Sequence, residues 1–219
     1  MSPLAEQLKQ YKSSFDASTP ADILETINRS ISLFQSNSVC SSCLPIGSEF
    51  PGFNLRSLSG EMVSSETLLA NGPLVIVFIR GGWCPYCILE MQAWQRHYKA
   101  SFDSFNIVAI SPELPEYTSQ VKQDNNIGFP ILIDENMDYA ERLGLIWQLD
   151  EEMKALLLKW NIDLTERTQE KQFQLPVPAT FVIAQDHTIH FRFIEEDYTL
   201  RAEPAEVLKI YDKLQKVDN

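Results

Sequence analysis

Apolar positions near the N-terminus recur every three to four residues: Leu4, Leu8, Tyr11 and Phe15, then Ile23, Ile27, Ile31 and Phe34. That is the spacing of one helix face, and it predicts two helices within residues 1–36. Thr19, Pro20 and Asp22 read as the cap, first position and first-turn acid of the second helix. Each stripe has to be covered, either by the rest of the chain or by a second subunit, so a homodimer is one of two arrangements open to it. The stretch from Ser36 to Pro45, rich in small polar residues, then reads as a linker.

Beyond the linker the pattern changes. Phe53-Asn54-Leu55 and Met62-Val63 flank Ser59-Gly60 and predict a small hairpin, and Ser65 to Leu69 predicts a short helix. Leu74-Val75-Ile76-Val77-Phe78-Ile79 is short, β-branched and bounded by Gly72-Pro73 and Gly81-Gly82, the signature of a buried central strand. Cys87, Met91, Trp94 and Tyr98 return to helical spacing. Residues 106–111 and 129–134 predict further buried strands around a helix from Glu116 to Asn126. Residues 137–172 are largely helical in pattern, over Met137 to Leu143, Asp150 to Trp160 and Asp163 to Lys171; Met153, Leu156, Leu157 and Trp160 form an apolar stripe read as core or interface packing, with a cofactor pocket as the alternative. A strand into Ala184, a turn at Gln185-Asp186-His187 and a strand from Ile189 to Ile194 form an antiparallel hairpin, and Glu203-Pro204 opens a last helix. Alternating strands and helices imply an α/β domain with parallel pairings. The division expected is an N-terminal helical extension with linker, residues 1–39, and a main domain, residues 40–219.

Composition narrows the function classes. The 219 residues, 44% hydrophobic, suffice for one domain with a substantial core plus an extension. A net charge of −12 leaves no basic patch for nucleic acid, and an anionic membrane surface would repel it. No apolar run approaches the ~18 residues of a membrane span, and Met1 to Gln7 lacks the charged start and apolar core of a signal peptide. A cytoplasmic location is expected. In that compartment four cysteines in two pairs point to catalysis or metal binding rather than a disulfide scaffold.

The candidate chemistry lies in Arg80-Gly81-Gly82-Trp83-Cys84-Pro85-Tyr86-Cys87. Strand, Gly-Gly turn, Cys-x-x-Cys and helix form the context in which two cysteines do redox work. Pro85 suits the first helical position, where a missing N–H is no loss. Cys84 then stands at the N-cap, over unpaired N–H groups and the positive end of the helix dipole, which favour the thiolate. Cys87, one turn on and more buried, can attack an oxidised Cys84 and close a disulfide. Trp83 would cover one side of the sulfur, and Arg80 would add positive charge if its side chain turns back. The bland alternatives are core packing or half of a zinc site. Cys40 and Cys43 form a second Cys-x-x-Cys, open to three readings: an auxiliary dithiol, half of a four-cysteine zinc site, or two incidental exposed thiols. His97, His187 and His190 lack metal-ligand spacing.

Taken together, Pro45 to Leu55, Trp83 to Cys87, Phe129-Pro130 and Val177-Pro178-Ala179-Thr180-Phe181-Val182-Ile183 resemble the peroxiredoxin-like (AhpC/TSA, redoxin) branch of the thioredoxin superfamily, over roughly residues 45 to 215. Cys-Pro-Tyr-Cys itself is also the tetrapeptide of glutaredoxins. The resemblance implies a thioredoxin-like fold, a central mixed sheet flanked by helices. It implies that Pro178 is a cis-proline facing the cysteine pair, leaving the Val177 backbone to pair with a substrate strand. Glu90 resembles the acidic residue of redoxin-type thiol reductases that accepts the proton of the second cysteine; the alternative is a solvated first-turn glutamate. Two departures stand out. Peroxiredoxins carry Thr three residues before the attacking Cys, where this chain has Gly81, and an Arg at the start of the strand that here begins at Pro178.

The expectation is a thiol-dependent antioxidant oxidoreductase that needs no metal or organic cofactor. Cys84 attacks a hydroperoxide, Cys87 resolves, and a thioredoxin-like or glutathione-type donor recycles the pair. The alternatives are a thiol–disulfide oxidoreductase, or a non-enzymatic redox-sensing or zinc-binding interaction protein.

Overall fold

A computed structural model describes residues 2–36, 43–98, 105–168, 170 and 172–216, together with the backbone of 99 and 100. Two helices open the chain, α1 (Leu4–Ser18) and α2 (Ala21–Ser36). The hairpin β1 (Asn54–Ser57) and β2 (Met62–Ser64) leads into α3 (Ser65–Leu69), whose first turn is closed by the Ser64 hydroxyl accepting from the Thr67 N–H at 3.1 Å. Then come β3 (Leu74–Phe78), α4 (Pro85–Ala100), β4 (Ile107–Ser111), α5 (Pro115–Asp124) and β5 (Ile131–Ile133). The chain continues through α6 (Asp138–Arg142), β6 (Ile146–Gln148), α7 (Glu151–Lys159), α8 (Leu164–Thr168) and β7 (Gln174–Pro176). It ends with the hairpin β8 (Ala179–Ile183) and β9 (Ile189–Ile194) and the helix α9 (Pro204–Gln215).

Among the described residues one sheet runs in the order β2-β1-β5-β4-β3-β8-β9. β3, β4 and β5 are parallel, while β8 and β9 on one side and β1 and β2 on the other are antiparallel. The thioredoxin-like mixed sheet flanked by helices is therefore present, with β3 an interior strand between β4 and β8. Successive strand residues face opposite ways, so β3 feeds two cores. Ile76 and Phe78 join one with Phe34 of α2, Tyr139 of α6 and Leu157 of α7. Val75 and Val77 join the other with Leu4 and Leu8 of α1, Met91 and Trp94 of α4 and Tyr211 of α9. The two N-terminal stripes are thus covered by their own chain: the α2 stripe and Phe15 pack in the first core, and Leu4, Leu8 and Tyr11 in the second.

One local reading is corrected and one element is added. The second helix begins at Ala21, and the Pro20 carbonyl accepts from the Ile23 and Leu24 N–H groups at 3.1 Å, so Pro20 and not Thr19 stands at the cap. Between the first two helices read in 137–172, in the gap after Leu143, lies the strand β6, which pairs antiparallel with β7 through Ile146–Pro176, Trp147–Leu175 and Gln148–Gln174. Three residues are too few to show a period of two, and the paired residues lie 26 to 30 positions away, so nothing local marks the strand.

Candidate active site

The parallel strand β3 ends in a Gly-Gly turn that delivers Cys84 to the start of α4. The Cys84 N–H donates to the Gly81 carbonyl at 3.3 Å, and the Cys84 carbonyl accepts from Ile88 at 3.1 Å, the first bond of the helix. Pro85 is the first helical residue and Cys84 the N-cap, as the sequence predicts. Cys84 is held well below an ordinary thiol, at about 5. The hydrogen bond from the Cys87 thiol is the largest cause; burial opposes it, and the positive charges of Arg80 and Arg201 assist. Burial, together with the neighbouring Cys84, pushes Cys87 well up. The pair is therefore split into a thiolate and a thiol. The Arg80 N–H also donates to the Cys87 sulfur at 3.4 Å.

Arg80 does turn back to the site. Its buried guanidinium lies 4.2 Å from the Tyr198 ring centre, 4.8 Å from Trp83 and 5.5 Å from Trp147. Trp83 and Tyr198 flank it beside Cys84, on the wall of a cleft of about 260 Å³ that Cys84 itself lines. The remaining wall comes from helices the sequence did not connect with the site. Tyr11 and Phe15 of α1, Ile27 of α2 and Met153, Leu157 and Trp160 around α7 complete it.

Glu90 is fully buried, which overturns the solvated alternative. Its carboxylate accepts from Arg201 Nε at 2.6 Å, and Arg201 Nη2 lies 3.5 Å from the Cys87 sulfur. Burial raises Glu90 to about 8 despite the pull of Arg201. Arg201 is anchored further by its bonds to the Tyr198 and Leu200 carbonyls. Sequence reasoning missed Arg201. It stands alone in a loop ahead of α9, in no motif, and only the tertiary fold carries it to a cysteine 114 positions away.

A second buried carboxylate was also missed. Glu113, just past the end of β4, accepts from the Gly82 N–H at 2.5 Å and from Arg167 Nε at 2.5 Å. It ties the redox turn to the neighbouring strand end and to α8. Its place at the C-terminal edge of parallel strands, where sites gather in α/β sheets, was the available signal.

Pro178 needs correction. The described peptide bonds are all trans, Val177–Pro178 included. The Val177 N–H, expected to be free for a substrate strand, donates to the Leu145 carbonyl at 2.8 Å. Val177 is buried, and an unpaired N–H there would be costly; pairing toward β6 supplies the partner. Pro178 does not line the Cys84 cleft. Cys43 is buried, not exposed, and its thiol lies 3.6 Å from the Gly144 carbonyl. Cys40 lies outside the described residues, so the paired reading of these two cysteines falls there as well.

Fold and site together define a thioredoxin-fold protein with a split cysteine pair at a helix N-terminus. Residues 46–192 match the AhpC/TSA family, and the chain belongs to it. It is 30% identical to a peroxiredoxin of Methanococcus vannielii over 110 residues, 46% of this chain and 50% of that protein. It is 35% identical to the thioredoxin-like protein YneN of Bacillus subtilis over 100 residues, 42% and 58% of the two chains. The chain thus spans about half the length of these curated relatives. Among solved structures, peroxidoxin BcpB from Mycobacterium tuberculosis superposes with a TM-score of 0.59 at 19% identity, covering 80% of this chain and 98% of that one. A yeast mitochondrial 1-Cys peroxiredoxin gives 0.59 at 22% identity, covering 80% and 78%. At these identities the superpositions establish the fold.

Proposed function

We propose that the protein is a thiol-dependent peroxidase of the peroxiredoxin-like kind. The carrying observation is the split pair: Cys84 lowered to about 5 at the N-cap, with the Cys87 thiol hydrogen-bonded to it one turn deeper. The Cys84 thiolate attacks the terminal oxygen of a hydroperoxide. An S–O bond forms, the O–O bond breaks, and the departing alkoxide or hydroxide takes a proton from solvent. Cys84 is left as a sulfenic acid. Cys87 then loses its proton with Arg201 beside its sulfur, attacks the Cys84 sulfur and expels the oxygen as water. The resulting disulfide is reduced by two thiol equivalents from a thioredoxin- or glutathione-type donor, which is itself oxidised to a disulfide. Arg80 takes the electrostatic part that the family's missing Thr and Arg would play. Glu90, poised near neutrality and bridged by Arg201, is the group that would receive the Cys87 proton.

Mixing reduced protein with hydrogen peroxide and with an organic hydroperoxide in a stopped-flow instrument tests this. The expected result is oxidation of Cys84 by at least one of them far faster than free cysteine at equal thiolate. No acceleration by either would remove the peroxidase.

The second reading, a thiol–disulfide oxidoreductase, is favoured by the Cys-x-x-Cys spacing and opposed by the occupied Val177 N–H. A fast reaction with a model disulfide and none with hydroperoxide would select it.

A further inference from the structure

Glu113 is fully buried and does not line the Cys84 cleft, yet both its carboxylate oxygens are engaged around the redox turn. Oε2 accepts from the Gly82 N–H at 2.5 Å, and Oε1 accepts from Arg167 Nε at 2.5 Å. Arg167 is held in turn: its guanidinium lies 4.2 Å from the Tyr117 ring centre, and its carbonyl accepts from the Leu114 N–H at 2.8 Å. A buried carboxylate is costly unless it is paired and hydrogen-bonded, and this one is fixed on two sides by charge-assisted bonds. The Gly82 N–H shares one rigid peptide plane with the Gly81 carbonyl. That carbonyl accepts from the Cys84 N–H at 3.3 Å. A single peptide therefore joins Glu113 to Cys84. It has a glycine on either side, Gly81 at φ +132°, so the local backbone does little to hold its orientation.

Resting on Cys84 as the nucleophile of the reading above, whichever oxidant it meets, we propose that Glu113 is a positioning residue: clamped by Arg167, it fixes the Gly81–Gly82 peptide and with it the seat of Cys84 at the start of α4. If that peptide turned over, the Gly81 carbonyl would swing toward the Glu113 carboxylate, oxygen against oxygen, and the Cys84 N–H would lose its acceptor. Held as it is, the turn keeps Cys84 against the Cys87 thiol, whose hydrogen bond is the largest support of the thiolate. At the other end of the turn the Arg80 N–H donates to the same Cys87 sulfur at 3.4 Å. Glu113 also fills the place of a side chain at position 81. A Cβ there would lie 2.5 Å from its carboxyl carbon, so the Thr that peroxiredoxins carry has no room, and the end of β4 supplies the hold instead.

The test is the pH dependence of Cys84 alkylation by iodoacetamide in the full chain, followed at Cys84 by peptide mass spectrometry. Wild type is compared with Glu113→Gln, Arg167→Met and the double variant. Gln keeps the volume but has one acceptor oxygen, so it cannot serve both Gly82 and Arg167. The half-point should rise by about one pH unit, a tenfold loss of thiolate in the acid range. A role as nearby charge alone has the opposite sign, because removing an anion favours the thiolate and lowers the half-point. Arg167→Met should also raise it. The double variant, which removes one charge of each sign, should match Glu113→Gln, since Arg167 acts through Glu113. Arg80, Arg201 and Cys87, which set the charge on Cys84 directly, are unchanged throughout. A half-point unmoved or lowered in Glu113→Gln, verified as folded by circular dichroism, would overturn the inference and leave the Cys84 thiolate standing. An unmoved half-point in Arg167→Met, at a partly exposed position, would do the same even if the Gln variant failed to fold. A wild-type half-point near that of an ordinary thiol, about 8.5, would remove the thiolate itself and the inference with it.

Discussion

At the scale of single residues the site is a problem in sharing protons. Four groups, Cys84, Cys87, Glu90 and Arg201, are nine-tenths or more buried and touch in sequence. Only certain charge arrangements are tolerable in such a place. A thiolate on Cys84 is balanced by Arg80 and Arg201, and Cys87 keeps its proton until it is needed. Alkylation of Cys84 by iodoacetamide should therefore be near its plateau at pH 7 and fall by half near pH 5, as its pKa of about 5 requires. A half-point near 8.5 would refute the thiolate. The same shift bears on stability. Cys84 in the folded chain lies below its unfolded value of 9.0, so between these limits the unfolded state binds the extra proton and stability rises with pH. That contribution is complete above pH 9 and lost as pH falls through about 5. Urea unfolding of the wild type against Cys84→Ser should show a difference that grows from pH 5 to pH 9. Replacing Arg201 by Met should slow disulfide closure more than the initial oxidation, because it removes the guanidinium that lies 3.5 Å from the Cys87 sulfur. Separate fluorescence phases in a stopped-flow trace would read the two steps; equal slowing would deny Arg201 a special role at Cys87.

Among elements, the redox turn is fixed from behind by α5 and by the end of β4. A Cβ placed on Gly82 would come within 1.8 Å of Val121 Cγ2 on α5, and one on Gly81, at φ +132°, within 2.5 Å of the Glu113 carboxyl carbon. The glycines are needed because the turn runs flush against these side chains. Gly82→Ala should destabilise the chain by about 1–3 kcal/mol, the usual cost of overpacking, and Val121→Ala added to it should recover much of that. Urea midpoints of the single and double variants measure this; additive losses would mean that Val121 is not the obstacle. The element scale is also where the sequence was most readable. β3, α4, the β1–β2 hairpin and the β8–β9 hairpin carry periods or turn residues that declare themselves locally. Cys84, Cys87, Pro85, Arg80 and Trp83 were legible because strand, turn and helix impose their spacing. Arg201, Glu113, Tyr198 and the β6–β7 ribbon were not, because each derives its role from a partner far along the chain. Pro178 misled for a related reason: its motif fits a family geometry, but the Val177 N–H is claimed by Leu145, a pairing no local pattern announces.

On the scale of the whole molecule, the N-terminal helices are load paths between fold and chemistry. Phe34 of α2 is buried and stacks on Trp147 of β6, ring centres 4.8 Å apart. Trp147 in turn lies against Tyr198 at 5.7 Å and under the Arg80 guanidinium at 5.5 Å. A packed line thus runs from the extension to the positive charge beside Cys84. Interiors are close-packed and transmit a missing ring rather than absorbing it. Phe34→Ala should therefore cost about 3–5 kcal/mol of unfolding free energy. In the protein that remains folded it should also slow Cys84 alkylation at pH 5–6, as Trp147 relaxes and Arg80 shifts. Since α2 feeds the core that Ile76 and Phe78 of the central strand enter, and α1 the core on the opposite face, tryptophan fluorescence and far-ultraviolet circular dichroism should report one coincident urea transition. An early transition carrying the helical signal alone, with Phe34→Ala leaving the main midpoint unmoved, would show the extension to be a separate unit and would break the line from α2 to the sulfur.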